Sequence, residues 1–221
     1  MFQYPERTRK DRVLPKNKVY GNAQPSNALR QRFVSQVDQI VWRNFLIPET
    51  VNLPSRDGIE GIQIFEIGLK TGELKEDVLR SLDRAMPWRL FFELRFQEQV
   101  RFTATYKRAS EGSSGQTVVG DYYWTPWQPA NAPRLAMPVA LDLGGLYEQM
   151  LRRHMLASPL ALHVRPGETL TAAVERGKAI RALQRECRLL EAALRRENQF
   201  NRKVEINRAL RLCREELAIL H

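Results

Sequence analysis

After Gly167 the chain contains no proline and only one further glycine, Gly177. Alanine, leucine, arginine, glutamate and glutamine dominate this stretch, and all five residue types favour the α-helix. Proline and glycine are the residues that most strongly end helices, so their scarcity leaves few places where the backbone can turn. Residues 167–221 are therefore predicted to be almost entirely helical.

Two apolar seams run through this helical segment at the spacing of a coiled coil. The first consists of Leu183, Cys187, Leu190 and Leu194, and the second of Ile206, Leu210, Cys213, Leu217 and Leu220. The seams are out of phase, and the polar stretch 197–203 separates them. This break predicts two helices folded into a hairpin, and one continuous helix with a stutter is the alternative.

The preceding residues, 25–158, carry the pattern of a mixed α/β domain. Short apolar runs between turn signals predict strands at Ile62–Leu69, Trp88–Phe96, Val100–Tyr106 and Thr117–Trp124. Apolar residues at three- and four-residue spacing predict helices from Ser26 to Pro48, over Glu73–Ala85 and around Leu146–Met155. One mixed sheet covered by helices, followed by a C-terminal helical hairpin or coiled coil, is the expected packing. The predicted fold class is therefore α+β.

The formal net charge of +10 is concentrated at the two ends of the chain. Residues 1–32 hold 8 Lys and Arg against 2 Asp and Glu, and residues 150–221 hold 15 against 8. The middle, residues 33–149, holds 12 against 15. Basic ends are typical of proteins that contact a polyanion such as DNA. The alternative is solvated surface charge in an arginine-rich chain.

Residues 1–24 are predicted to form a basic extended N-terminal arm, because Pro5, Pro15 and Gly21 interrupt a stretch with few apolar residues. This arm would pack over the domain or reach a partner. It lacks the apolar segment of a signal peptide, and no apolar run approaches the roughly 20 residues that span a bilayer. We expect a cytoplasmic protein without membrane contact.

The two cysteines, Cys187 and Cys213, are too far apart for a CxxC metal or redox motif. Both occupy apolar positions of the seams, where free cysteine packs like a small hydrophobic residue. A regulatory disulfide between them is the alternative, and it requires that the two helices pack side by side.

Recognisable catalytic and cofactor motifs are missing from the sequence. There is no GxxxxGK[ST] phosphate loop, no GxGxxG between a strand and a helix, and no GxSxG nucleophile motif. The three histidines, His154, His163 and His221, have no Cys, Asp or Glu at metal-ligand spacing. We therefore expect no catalytic residues, no cofactor and no bound metal.

A metal-dependent nuclease is the enzymatic alternative. Such sites gather carboxylates and a lysine at neighbouring strand ends, where Mg²⁺ and a water molecule meet a phosphodiester. The candidate residues are Glu66, Asp83, Glu93 and Lys107. The same four residues also have a structural interpretation, because a glutamate on a strand and an aspartate near a helix end are ordinary features.

An aromatic cluster, Tyr122, Tyr123, Trp124 and Trp127, lies in one predicted strand and just after it. Exposed aromatic residues stack on unpaired bases when positive charge flanks them. Asp121 and prolines flank this cluster in the sequence, with no Lys or Arg nearby. Packing in the core or in an interface is therefore the favoured interpretation.

Five stretches spread along the chain resemble the bacterial family called domain of unknown function 4391. They are Pro25–Leu29 (PSNAL), Pro48–Leu53 (PETVNL), Ile62–Ile67 (IQIFEI), Leu82–Pro87 (LDRAMP) and Gln199–Asn207 (QFNRKVEIN). The resemblance implies an accessory protein encoded beside DNA helicases and DNA methyltransferases, in clusters that resemble restriction-like antiphage defence systems. It implies no catalytic residues. The last stretch falls on the polar break between the two seams.

Three hypotheses follow. The first is a non-catalytic adaptor subunit of such a defence system, which docks a helicase or methyltransferase and contacts DNA through Arg195, Arg196, Arg202 and Lys203 around the helical break. The second is the nuclease subunit. The third is a purely structural adaptor that self-associates through its C-terminal helices.

Overall fold

The structure is a computed structural model that describes residues 2–15, 26–109, 117–158 and 165–220. The chain divides into two compact units, Met1–Ala161 and Leu162–His221. The first unit contains a mixed sheet with its helices, and the second contains two long helices. The predicted α+β class, with a helical hairpin at the C-terminus, is confirmed.

Within the described residues, the first unit has nine strands and four α-helices. The strands are β1 (Phe2–Gln3), β2 (Arg9–Val13), β3 (Val37–Leu46), β4 (Ile62–Leu69), β5 (Arg89–Phe96), β6 (Gln99–Ala109), β7 (Thr117–Trp124), β8 (Gln128–Pro129) and β9 (Leu135–Ala136). The helices are α1 (Asn27–Gln36), α2 (Pro48–Val51), α3 (Glu76–Ala85) and α4 (Leu143–Ala157), and a 3₁₀ turn covers Glu6–Thr8.

Seven strands form one mixed sheet in the order β2-β3-β4-β5-β6-β7, and β8 also pairs with β6. β4 and β5 run parallel, with α3 in the connection between them, and the other neighbours in this sheet are antiparallel. β1 and β9 form a separate two-stranded parallel sheet. The four predicted strands are present as β4 to β7, and the predicted hairpin is the β5–β6 pair.

Helices cover both faces of the sheet. On one face, Phe65 and Ile67 of β4 join Phe92 and Leu94 of β5 in a core cluster with residues of α1 and α3. Side chains alternate between the two faces of a strand, so Glu66 and Phe91 point to the opposite face. There the Phe91 ring packs against α4, with 6.0 Å between its centroid and that of Tyr147.

The predicted helix from Ser26 to Pro48 is wrong in its second half. Ser26 does cap a helix, since its hydroxyl accepts the backbone N–H of Leu29. That helix, α1, ends at Gln36, and the strand β3 begins at Val37. Register shifts interrupt the β3–β4 pairing between Val37 and Gln39 and between Trp42 and Asn44. These shifts break the two-residue alternation, so the buried residues of β3 recur at a helix-like spacing.

The described part of the basic N-terminal segment packs on the first unit. β1 pairs with β9, and β2 forms the edge of the main sheet beside β3. The Leu14 amide donates to the Ile40 carbonyl at 2.8 Å and extends this pairing. Residues 16–24 of the predicted arm lie outside the described residues, as does the predicted loop at 111–115.

The second unit is an antiparallel pair of helices, α5 (Leu170–Arg196) and α6 (Phe200–Leu220). The two predicted seams meet in one cluster, in which Cys187, Leu210 and Cys213 are buried. Cys187 and Cys213 are free thiols in direct contact, so the two helices pack side by side, as the alternative of a disulfide requires. No helix among the described residues is long and apolar enough to cross a membrane.

Polar contacts stabilise the end of this helical pair that lies opposite the turn between α5 and α6. Arg176 of α5 makes an ion pair of 2.8 Å with Glu168, just before the helix. Arg165 donates to the Leu220 carbonyl near the end of α6 at 2.9 Å. The opposite end, where α5 turns into α6, is the tip of the hairpin.

Burial of His154 predicts a loss of stability in mild acid. Its ring lies on α4 against Phe91, 5.1 Å between centroids, and burial lowers the pKa of His154 to about 4. The folded state then binds fewer protons than the unfolded state between pH 6.5 and 4. The free energy of unfolding should therefore fall as pH falls, by about 1.4 kcal/mol per pH unit from this residue.

Urea unfolding at a series of pH values measures this slope. The His154→Leu variant should lose the slope between pH 6.5 and 5 while it keeps the acid sensitivity that carboxylates cause at lower pH. An unchanged slope in His154→Leu would show that the histidine is charged or exposed in the folded protein.

Candidate nucleic-acid interface

The hairpin tip brings together the four basic residues predicted to contact DNA. Arg195 and Arg196 end α5, while Arg202 and Lys203 lie in the first turn of α6. All four side chains are exposed. Only the three residues 197–199 separate the helices, so the four cations surround one short turn.

Glu197 holds the backbone of this turn. Its carboxylate accepts hydrogen bonds from the N–H groups of Asn198 and Gln199 at 2.8 and 2.9 Å. These bonds lower the pKa of Glu197, and the neighbouring Arg202 and Lys203 lower it further. The carboxylate is thus engaged with the backbone of the turn.

The basic surface continues along α5, beyond the residues that the sequence reasoning selected. Arg181, Arg185, Arg188 and Arg195 follow each other at intervals of four, three and seven residues, which places them on one face of the helix. Cys187 and the rest of the first seam occupy the opposite face. The sequence contains this spacing, but the arginines are recognised as one exposed face only when the seam that packs against α6 is taken as the buried face.

The tip also exposes apolar surface. The Phe200 side chain is 78% exposed at the start of α6, and Val204, one turn later, is 53% exposed. Residues four apart lie side by side on a helix, so the two form one apolar patch. Arg202 and Lys203 lie within the same turn. The tip therefore presents an exposed aromatic ring flanked by positive charge. From the sequence, base stacking was considered only for the aromatic cluster around Tyr122 to Trp127.

The nuclease candidates Glu66 and Glu93 do lie together. They occupy paired positions on the parallel strands β4 and β5. Arginine side chains bind both carboxylates: Arg43 and Arg95 donate to Glu66 at 2.7 and 2.6 Å, and Arg134 grips Glu93 with two hydrogen bonds of 2.8 and 3.1 Å. Each carboxylate is thus paired with guanidinium groups, and both carboxylates line a cleft of about 390 Å³ that these arginines share.

The other two candidates, Asp83 and Lys107, lie on the α3 side of the sheet. Their charged groups are 3.9 Å apart and almost fully buried. The Tyr122 hydroxyl donates to Asp83 at 2.5 Å, while the Lys107 ammonium donates to backbone carbonyls at the end of α3, including that of Asp83 at 2.6 Å. Burial raises the pKa of Asp83 to about 6 and lowers that of Lys107 to about 8.

The four nuclease candidates therefore do not form one site. The sheet separates the Glu66–Glu93 pair from the Asp83–Lys107 pair, and each pair is hydrogen-bonded within its own surroundings. No group of three or more His, Cys, Asp or Glu side chains within the described ranges is arranged to hold a metal ion. Of the three histidines, His154 is a core residue, and His163 and His221 lie outside the described ranges.

The aromatic cluster is divided between core and surface. Tyr122 and Tyr123 are buried, as the packing interpretation predicts, whereas Trp124 and Trp127 pack on the core from its edge. The structure differs from the sequence reasoning in one respect. Arg101 of the neighbouring strand lies over both tryptophan rings, so positive charge flanks the cluster in space although not along the chain.

Comparison with known proteins identifies one family whose model covers nearly the whole chain. The family model described as domain of unknown function (DUF4391) matches residues 2–217. The chain belongs to the DUF4391 family. No curated protein matches the chain, and no solved structure does.

The DUF4391 match covers both units, including the hairpin tip and most of α6. The stretch Gln199–Asn207, which carries the sequence resemblance most sharply, forms the last residue of the turn and the first two turns of α6. It contains Phe200, Arg202 and Lys203. The most distinctive segment of the resemblance is thus also the segment that exposes cations and an aromatic ring.

The arginine-bound carboxylates of this DUF4391 chain predict a structural role for Glu93. The Glu93→Gln substitution should lower the free energy of unfolding by about 2–3 kcal/mol, because it removes one partner of a buried ion pair whose other partner, Arg134, is partly exposed. Urea unfolding checks this value. Glu98→Gln, an exposed position in the β5–β6 turn, is the matched control and should have little effect.

A thermal melt with Mg²⁺ separates this role from metal binding. We expect the melting temperature of the unmodified protein to be insensitive to millimolar Mg²⁺. A rise that Glu93→Gln abolishes would instead support a metal site at the Glu66–Glu93 pair.

Proposed function

We propose that this protein is a non-catalytic adaptor that contacts DNA through the hairpin tip and the adjoining arginine face of α5. The observation that carries the proposal is the contrast between the two units. The Glu66–Glu93 cluster of the first unit is bound by Arg43, Arg95 and Arg134. The cations of the tip, by contrast, project into solvent.

The dimensions of the basic face suit a nucleic-acid backbone. The exposed Arg185 and Arg195 are ten residues apart on α5, a distance of about 15 Å at the helical rise. B-form DNA carries one phosphate per strand for about every 3.4 Å of its axis. The face therefore extends along several phosphates, and the tip adds cations at its end.

Docking of a partner enzyme is the second part of the proposal. It is supported by the resemblance, which implies a place beside a DNA helicase or DNA methyltransferase in a cytoplasmic restriction-like defence system. The first unit would provide the docking surface. In that arrangement the partner supplies the chemistry, and the basic hairpin adds contacts to the same DNA.

Self-association through α6 is a second candidate role for the hairpin. Leu212 and Ile219 are exposed on α6, 53% and 77% respectively, although the helix already packs its seam against α5. The mass in solution of the isolated protein tests this role, and a strict monomer would remove it.

Charge reversal at the tip should weaken DNA binding and reduce its salt dependence. The Arg195→Glu/Arg196→Glu variant removes two cations, so the slope of log affinity against log salt should become shallower by about 2 for duplex DNA. Fluorescence anisotropy with a labelled duplex at several salt concentrations measures both quantities. Arg84→Glu/Arg153→Glu makes the same charge change at exposed positions of the first unit and should leave the slope unchanged.

Two results would overturn the proposal. One is absence of DNA binding by the full chain at low salt, because phosphate contacts are strongest there. The other is an equal loss in the tip variant and the control, which would mean that net charge, not the tip, attracts the DNA.

Phe200 should matter for single-stranded DNA more than for duplex. Stacking of one base on an aromatic side chain contributes about 1–3 kcal/mol, and duplex bases are already stacked on each other. Phe200→Ala should therefore weaken binding to a single-stranded oligonucleotide about tenfold at constant salt, with little change for the duplex. Leu189→Ala, also at an exposed apolar position of the hairpin, is the control.

A further inference from the structure

A cleft of about 480 Å³ lies on the first unit, between the segment 72–76, which leads into α3, and the strands β6 and β7. Arg101 and Trp124 line its wall. The guanidinium carbon of Arg101 is 4.5 Å from the ring centroid of Trp124 and 5.3 Å from that of Trp127. Cation–π contacts with two rings restrict the orientation of this guanidinium.

Arg101 differs from the arginines that bind the Glu66–Glu93 pair. No hydrogen bond or ion pair of its side chain is present in the described part of the chain. Its Nε is buried, whereas its two terminal nitrogens are accessible and are the groups that a ligand can reach. Burial lowers the pKa of Arg101, and no carboxylate offsets the effect. A partly buried charge without a hydrogen-bonding partner is costly, which is the condition expected where a ligand completes the site.

The surrounding charges favour a ligand with a single negative charge. The exposed Lys75 adds a second cation at the rim of the cleft. Glu76 is engaged by neighbouring groups, since it accepts a hydrogen bond from Trp124 at 3.3 Å and lies 3.8 Å from Arg80. Glu73 is exposed at the same rim and would repel a doubly charged phosphate more strongly than a carboxylate.

The walls of the cleft favour a ligand that carries an apolar group next to its negative charge. Leu74 and the Trp124 ring contribute apolar surface beside Arg101, and both pack on the domain core from outside. An arginine held by aromatic rings presents its N–H groups as a fork that matches the two oxygens of a carboxylate.

We propose that this cleft binds a carboxylate of a partner protein, with Arg101 as the anchor and an apolar side chain of the partner against Leu74 and Trp124. A C-terminal carboxylate following an apolar residue has this chemistry. The inference rests on the docking half of the proposed function and needs no DNA. Failure of DNA binding at the hairpin therefore leaves it intact, and its own failure leaves the DNA proposal intact.

A matched pair of small probes tests the site on the full chain. N-acetyl-leucine carries the carboxylate and N-acetyl-leucinamide replaces it with an amide. NMR titration follows the indole N–H signals of the four tryptophans, assigned by Trp→Phe variants. N-acetyl-leucine should shift the Trp124 and Trp127 signals and leave those of Trp42 and Trp88 in place, whereas the amide should shift none.

Two variants connect the effect to the guanidinium. Arg101→Gln should abolish the shifts, and Arg101→Lys should weaken binding about tenfold, because it keeps the charge but loses the fork. Arg84→Gln, an exposed arginine at the end of α3, should bind like the unmodified protein. A thermal melt of each variant shows whether it is folded, and Arg101→Lys remains informative if Arg101→Gln is not.

Three results with these two probes would overturn the proposal. They are an absence of Trp124 and Trp127 shifts at tens of millimolar N-acetyl-leucine, equal shifts with the amide, and unchanged binding in Arg101→Lys. Inorganic phosphate is the remaining arm of the titration. Tighter binding of phosphate than of N-acetyl-leucine would overturn the assignment to a carboxylate.

Discussion

Two glutamates occupy paired positions on the only parallel pair of strands in the main sheet of the described residues, and this arrangement requires compensation. Glu66 and Glu93 are buried, and like charges so close repel strongly where water is excluded. Arg43 of β3, Arg95 of β5 and Arg134 from the segment before β9 supply the opposite charge. The ion pairs therefore connect neighbouring strands to each other and to the connection that follows the sheet.

The same cluster joins the N-terminal segment to the sheet. Arg134 also donates to the Phe2 carbonyl at 3.2 Å, and Arg43 pairs with Asp11 at 2.8 Å. The N-terminal segment, which looks in sequence like a free basic arm, thus contacts its own unit through a backbone carbonyl and a carboxylate, and one of its cations, Arg9, pairs with Glu6 and Asp11. Net charge alone does not distinguish such residues from cations that remain available to a ligand.

Local patterns were sufficient for most of the fold and misleading in one place. The strands β4 to β7 were predictable because short apolar runs between turn signals have few other interpretations. The hairpin was predictable from the phase change between its seams. β3 was not, since register shifts gave Val37, Ile40 and Val41 the spacing of a helix, and only pairing with β4 reveals the strand.

The candidate sites show the same difference between local sequence patterns and contacts that join distant parts of the chain. The tip cations were found because Arg195, Arg196, Arg202 and Lys203 adjoin a break that the seams mark in the sequence. The partners of Glu66 and Glu93 were not found, and neither was Arg101 beside Trp124, because those contacts join different strands. Pairing across a sheet depends on register, which a single sequence specifies only through its turns and its apolar faces.

The distinction between paired and unpaired charge decides which surfaces of this protein are candidates for binding. Guanidinium groups already balance the negative charge of the buried carboxylates, which disfavours a metal ion beside them, whereas an arginine held only by aromatic rings retains its hydrogen-bonding groups. By this criterion the acidic cluster is part of the scaffold. The exposed cations at the hairpin tip and the unpaired guanidinium of Arg101 differ in their access to water. Water solvates the charges of the tip, so the tip suits a mobile, extended polyanion. Arg101 is partly shielded from water and suits one fixed anionic group.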